Sequence, residues 1–269
     1  MQYGMIIDLE RCVGCHACTI ACRAEWEVPV PYQRNWVKRL GPTMTDDGMA
    51  ATYYPGLCNH CNKPPCVDEC PADKVEMTFT NVKDGKTTTM TVAATWKDPF
   101  DGSVQVDKDR CLGCGACADA CPYGARYVNP AMADDDSDGK VDKCTYCKPR
   151  VEQGLDPACV QTCIAGARIF GDLSDPGSEV SQYVKKGAKG LEVSDGHIGP
   201  NSRYFGSKKD MSLLFADHTP KLADMGSVKR RAMLASMLTP AMRKAKEIGI
   251  LGLAGAVLVK GLSDNRDNS

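Results

Sequence analysis

The chain has 269 residues, 33 basic against 34 acidic side chains, 16 cysteines and only 6% aromatic residues. This length allows one or two domains, the near-zero net charge gives no electrostatic footprint for nucleic acid, and no apolar run reaches the roughly 18 residues of a membrane-spanning helix. A disulfide scaffold spreads its cysteines so that each bridge closes a loop, whereas these fall into four tight groups of four.

In chain order, the first element is a short β-type run, Tyr3 to Ile7. No signal-peptide n-region or h-region precedes the first thiol, so the chain is expected to carry no export address of its own. Group one follows, Cys12, Cys15, Cys18 and Cys22, and then group two, Cys58, Cys61, Cys66 and Cys70. A strand-like tail, Val75 to Thr80, leads into a segment rich in Thr and Val. There Thr78 to Val82 and Lys86 to Val92 flank Asp84-Gly85, which predicts an inserted β-hairpin that covers a cluster or meets a partner.

A second β-type run, Ser103 to Val106, precedes group three, Cys111, Cys114, Cys117 and Cys121, with a strand-like tail at Ala125 to Val128. Group four is Cys144, Cys147, Cys159 and Cys163, with an insertion at Lys148 to Ala158 and a strand-like tail at Ala167 to Phe170. Asp8 to Cys18 aligns without gaps on Asp107 to Cys117, so strand, cysteine loop and short helix form a repeated unit. From residue 173 the thiols stop, and a composition of Gly, Ser, Asp and Lys predicts an extended, loop-rich arm. Within that arm a basic stretch, Val228 to Glu247, precedes an apolar run, Ile248 to Val259. A helix over that run covers about 18 Å against a hydrocarbon core of about 30 Å. The segment is therefore expected to lie on a membrane surface, dock on a membrane subunit or pack on the body of the protein.

A cubane iron–sulfur cluster needs four thiolates around it, and a loop with cysteines three residues apart wraps three of its corners. In two-cluster ferredoxins the fourth cysteine of CxxCxxCxxxCP serves the other cluster. Groups one and three carry the CxxCxxCxxxC pattern, and group three adds Pro122. Two such paired units account for every thiol as four 4Fe-4S clusters. Groups two and four alone are also compatible with zinc knuckles, which keeps a zinc-stabilised scaffold module as a remote alternative. Other candidates are weak. Asp134, Asp136, Asp138 and Gly139 open like a calcium loop, but Thr145 stands where the bidentate Glu belongs. His16 and His60 sit inside cysteine loops, where a hydrogen bond to sulfur or a surface role is expected. His197 and His218 have no nearby nucleophile in sequence. No phosphate loop or catalytic triad is present, so neither catalysis nor a small-molecule substrate of its own is expected.

The four groups, in this order and with these spacings, resemble the four-cluster ferredoxin-like electron-transfer (beta) subunits of the complex iron–sulfur molybdoenzymes. These include the polysulfide, thiosulfate, dimethyl sulfoxide, arsenate and nitrate reductases and the formate dehydrogenases. The resemblance covers residues 3 to about 172, where group two reproduces CxxCxxxxCxxxC and group four CxxC, eleven residues, CxxxC. It implies that groups one and four pair, as do groups two and three. Cluster one would take Cys12, Cys15, Cys18 and Cys163, and cluster two Cys22, Cys144, Cys147 and Cys159. Cluster three would take Cys58, Cys61, Cys66 and Cys121, and cluster four Cys70, Cys111, Cys114 and Cys117. Nitrate-reductase-like members have tryptophan and a three-iron cluster at the position of Cys114; cysteine here implies four complete cubanes.

The expected fold is α+β, with two intertwined dicluster ferredoxin-like units. Residues 1–57 and 129–172 form the outer unit, residues 58–128 the inner one with a hairpin insert at 76–95, and residues 173–269 the C-terminal arm. The expected function is single-electron relay between a catalytic subunit, carrying molybdopterin by resemblance, and a membrane quinone or haem subunit of a respiratory complex. The alternatives keep the clusters but change the company: a quinone reductase fed by multihaem cytochromes, or a hydrogenase-linked polyferredoxin. By resemblance the chain is expected at the periplasmic face of the membrane, co-exported with a partner, with the cytoplasmic face as the alternative.

Overall fold

In the computed structural model, residues 1–134, 137–194, 196–218 and 234 are described. The first run forms β1 (Tyr3–Asp8), and group one leads into α1 (Ala17–Trp26). Two long strands follow, β2 (Asn35–Thr45) and β3 (Gly48–Leu57), then α2 (Pro65–Asp68) within group two. The predicted insert is the hairpin β4 (Val75–Thr80) and β5 (Thr87–Val92). Next come β6 (Thr95–Lys97), β7 (Val104–Val106), α3 (Ala116–Asp119), β8 (Tyr127–Asn129) and β9 (Lys140–Asp142). Group four contains α4 (Lys148–Glu152) and α5 (Ala158–Gln161) and runs into β10 (Arg168–Asp172). The chain continues through α6 (Glu179–Lys185), β11 (Lys189–Gly190), β12 (Ser202–Phe205) and α7 (Lys208–His218). The class is mixed α+β.

The central sheet has the order β10-β1-β12-β11. β10 follows group four, β1 precedes group one, and the two pair antiparallel with Tyr3 opposite Asp172. The sheet is buried on both faces because strand side chains alternate. Met5 and Ile7 point into a core with Tyr54, Leu57, Tyr146 and Tyr204, while Ile6 points into another with Ile169, Val180 and Tyr183. Helices repeat the pairing of the ends: α1 packs on α5, and α2 on α3.

Two features differ from the sequence expectation. The β2–β3 hairpin was not anticipated. Its strands pair from Asn35 opposite Leu57 to Thr45 opposite Gly48, with the register shifting between Leu40 and Thr43, where Gly41-Pro42 breaks the alternation that would have announced it. A short-range signal was present, since Asp47-Gly48 closes the turn and the Thr45 hydroxyl donates to the Gly48 carbonyl at 2.7 Å.

The second correction concerns the arm. Residues 173–218 are built into the body instead of extending from it: β12 pairs parallel with β1, Met5 opposite Ser202, and α7 packs on β2 and β3. The composition misled because exposed Gly, Ser and Lys outnumber the widely spaced Val180, Tyr183, Leu191, Tyr204, Leu213 and Leu214, all of which are buried. The Asn201 side chain donates to the His60 carbonyl at 2.8 Å and the Ser202 hydroxyl to the Cys58 carbonyl at 3.3 Å, so this segment braces the group-two loop. The expected basic and apolar docking stretches, 228–247 and 248–259, lie outside the described residues apart from position 234.

Candidate metal centres

All sixteen cysteines are free thiols. One space is lined by Cys12, Cys15, Cys18 and Cys163 with Ile7, Val37 and Arg168. Another is lined by Cys70, Cys111, Cys114 and Cys117 with Ala94, Val106 and Val141. The other eight are buried or half-buried. Burial raises Cys144, with Cys159, Cys22, Cys58 and Cys147 adding to the rise, and it raises Cys61, with Cys58, Cys66 and Cys121 adding. The fields of neighbouring thiols also cross between groups: Cys18 raises Cys159, Cys58 raises Cys144 and Cys117 raises Cys66.

The local sequence explains these loops. In each group the third thiol is the second residue of a helix: Cys18 in α1, Cys66 in α2, Cys117 in α3 and Cys159 in α5. The loop leading into that helix must curl tightly, and in the repeated unit glycine permits it. Gly14 and Gly113 hold φ of 66° and 67°, a left-handed conformation that side chains disfavour. A Cβ at Gly14 would lie 2.2 Å from the Tyr53 ring, and one at Gly113 2.2 Å from the Gly139 carbonyl.

Burial governs the electrostatics of the thiols. It pushes Cys22, Cys66 and Cys114 up to about 12 and Cys159 to about 11, with neighbouring thiols adding to the rise for Cys22 and Cys66. Protein N–H groups nevertheless donate to sulfur. The Trp26 indole reaches Cys147 at 3.3 Å, and the backbone amides of Val141, Tyr146 and Ala167 reach Cys111, Cys144 and Cys163 at 3.4, 3.4 and 3.2 Å. Such donors stabilise anionic sulfur.

Among the described residues five cations are buried, Arg34 and Lys140 included; the other three complete the picture, and sequence reasoning missed them. Arg126 is 5% exposed, Arg168 3% and Lys143 1%. Nε and Nη1 of Arg126 and both terminal nitrogens of Arg168 are buried without an oxygen acceptor. Burial opposes charge on Arg126, but Cys66, Cys117, Cys58 and Cys121 outweigh it and raise its pKa. Arg168 is raised in the same way by Cys159 and Cys18. Lys143 is pushed down by burial, against the pull of Cys58 and Cys144. The overlooked signal is a second repeat: Cys121-Pro122-Tyr123-Gly124-Ala125-Arg126 and Cys163-Ile164-Ala165-Gly166-Ala167-Arg168 share CxxGAR.

The histidines divide. His16 is exposed and precedes α1. His60 is fully buried; its Nδ1 accepts from the Val104 amide at 2.8 Å and its ring stacks on Tyr146 at 3.7 Å, so it neither bonds sulfur nor lies at the surface. The ring is held inside by that amide and by the Tyr146 ring. His197 pairs with Glu192 at 3.6 Å on the surface. The backbone of His218 ends α7. At the calcium-like turn, Asp134 pairs with Lys140 at 2.6 Å, which places an ammonium where a cation ligand set would need its carboxylate; Asp136 lies outside the described residues.

Among the described residues, no three His, Cys, Asp or Glu side chains are gathered tightly enough for a single ion. Two of the thiol sets instead surround wider, apolar-walled spaces. Thiols in fours, N–H donors on sulfur and unpartnered cationic N–H groups fit an anionic iron–sulfur cage.

Comparison with known proteins agrees. A family model described as a 4Fe-4S dicluster domain matches residues 49–173, and one described as a 4Fe-4S binding domain matches residues 3–24. A Halobacterium salinarum protein, provisionally named as a dimethyl sulfoxide reductase iron–sulfur subunit, is 38% identical, across 82% of this chain and 89% of its own length. A tetrathionate reductase subunit of Salmonella typhimurium is 36% identical, across 76% of this chain and 71% of its own. A polysulfide reductase chain from Wolinella succinogenes is 38% identical, across 68% and 83%.

Proposed function

Because this protein belongs to the family of iron–sulfur electron-transfer subunits of the molybdoenzyme reductases, we propose that it relays single electrons between a molybdopterin-bearing catalytic subunit and a membrane subunit that exchanges electrons with quinone or haem. It holds four 4Fe-4S clusters and is a non-catalytic subunit of its complex. Each bound cluster supplies one-electron storage with little rearrangement of its ligands.

The ligand sets we assign are Cys12, Cys15, Cys18 and Cys163; Cys22, Cys144, Cys147 and Cys159; Cys58, Cys61, Cys66 and Cys121; and Cys70, Cys111, Cys114 and Cys117. They support a reading of two intertwined dicluster units. Groups one and four, flanked by the paired strands β1 and β10, form the outer unit (1–57 and 129–172), and groups two and three the inner unit (58–128). The observation that carries the relay is the gathering of sixteen free thiols in one body, with two of the four sets lining apolar-walled spaces.

The first set is the proposed end that faces the catalytic subunit. Its Cys15 is the exposed thiol among the sixteen, and Val13, Ile20 and Ile164 around that loop are 56%, 64% and 79% exposed. An apolar rim around an accessible ligand suits a subunit interface. Membrane association through a partner subunit, at the periplasmic face, is proposed on the family likeness; no helix among the described residues is long and apolar enough to cross a membrane.

The test is purification of the intact complex from its native membrane under anaerobic conditions, with molybdenum, haem and iron quantified. Co-purification of molybdenum and a large catalytic chain supports the reading; an assembly rich in haem and free of molybdenum overturns it.

A further inference from the structure

The CxxGAR repeat puts its two arginines in equivalent places. Arg126 follows Cys121 by five residues and lies against Cys66 and Cys117. Arg168 follows Cys163 by five and lies against Cys18 and Cys159. Cys18 and Cys66 are the third thiols of groups one and two, and Cys159 and Cys117 those of groups four and three. Each guanidinium therefore stands at the seam between the two sets of one pair. The surrounding turns match as well: the Gly124 amide donates to the Cys121 carbonyl at 3.2 Å and the Gly166 amide to the Cys163 carbonyl at 3.0 Å. Lys143 holds the remaining seam, between the pairs. It is adjacent to Cys144, donates to the Cys144 carbonyl at 2.7 Å and to the Val104 carbonyl, and lies against Cys58.

A structural role alone does not account for the two arginines. An arginine that merely ties loops together spends its donors on oxygen. Arg126 gives Nη2 to the Thr95 hydroxyl at 3.0 Å and leaves Nε and Nη1 without an oxygen partner, and Arg168 leaves both terminal nitrogens so. Burying an unpaired cation is costly unless an anion lies nearby, and clusters held by thiolates supply that anion on two sides.

We propose that Arg168, Lys143 and Arg126, one at each of the three seams, are potential-setting residues that hold the clusters on either side at higher reduction potential than the thiol ligands alone would give. A nearby positive charge favours the more negative, reduced form of a cluster, and in a buried site it acts with little screening. With a cation at every seam, each inner cluster borders two cations and each end cluster one. This inference rests on the ligand sets proposed above.

The experiment uses the full chain prepared anaerobically, with iron quantified and a redox titration followed by electron paramagnetic resonance. Wild type should carry about sixteen irons on the arithmetic of four cubanes; a shortfall there overturns the ligand reading, independently of the cations. With the iron in place, Arg126→Gln should lower the reduced-to-oxidised ratio of two clusters about tenfold at fixed potential, a fall of about 59 mV for one electron, and leave the other two unmoved. Arg168→Gln should move the complementary two. Lys143→Gln should move one cluster from each pair. Arg126→Lys and Arg168→Lys should stay close to wild type.

Intact clusters with unchanged potentials in the glutamine variants overturn the proposal, as does an equal shift of all four. If a glutamine variant loses its two flanking clusters while the lysine variant keeps them, the charge is what holds them, and the proposal stands. Loss in both variants assigns the arginine to packing and overturns it.

Discussion

Asp142 shows how one buried carboxylate organises the surroundings of a thiol. It accepts from Arg34 Nε and Nη2 at 2.8 Å each, Lys108 Nζ at 2.8 Å and the Tyr127 hydroxyl at 2.6 Å. Burial alone would raise this carboxyl, but Arg34 and Lys108 prevail and hold it at about 2. Its stabilising effect is therefore present above the ordinary carboxylate value and is lost only as the pH falls towards about 2. Arg34 in turn lies 4.2 Å over the Trp26 ring, whose indole donates to Cys147. Asp142→Asn should cost about 3–5 kcal/mol, because it strands a buried guanidinium; anaerobic thermal denaturation reads this as a lower midpoint, and an unchanged midpoint would contradict it. At the thiols the sign is opposite. Cys22, Cys66, Cys114 and Cys159 bind protons more tightly than a free thiol, so protons compete with iron and metal release should grow as pH falls. Absorbance near 400 nm followed from neutral to acid pH should decline; a decline that accelerates towards alkaline pH would contradict this account.

The cysteine loops and their short helices were the most legible elements. CxxCxxC fixes a curl whose third thiol is already the second residue of a helix, so ligand, turn and helix are written in one stretch of chain. The hairpin around Asp84-Gly85 was equally local. What escaped was one local hairpin and two long-range placements. β2–β3 is interrupted by Gly41-Pro42, and α7 and β12 draw their apolar residues from a polar stretch. Their place is decided by the other parts of the core, where Leu214 is fully buried. Leu214→Ala should therefore cost about 2–5 kcal/mol, although it lies in the segment that composition marks as an arm; a neutral result would return that segment to the periphery. The proposed pairing of ends makes a separate prediction. Cys12→Ser and Cys163→Ser lie 151 positions apart, yet each should abolish the same paramagnetic signal, and the double variant should lose no more than either alone.

At the scale of the molecule, metal and fold depend on one another. Cys159 belongs to the main core beside Met5 and Tyr204, and Cys66, Cys111 and Cys117 form most of a smaller one with Val104 and Val141. The apolar groups around the cysteine loops are few, so removing iron should leave a largely unstructured chain, seen as loss of far-ultraviolet circular dichroism after chelation. The sequence carried the cofactor and its number because the ligands are themselves the motif. It did not display the buried Arg126, Lys143 and Arg168, since an arginine in a sequence reads as surface until the fold encloses it. The central claim is that the thiol sets form one continuous electron path, and its most direct test is electron paramagnetic resonance of the fully reduced, anaerobically prepared chain. The account predicts broadened, magnetically interacting 4Fe-4S signals from neighbouring centres. Sharp signals that sum as independent clusters, or the absence of any, would contradict it.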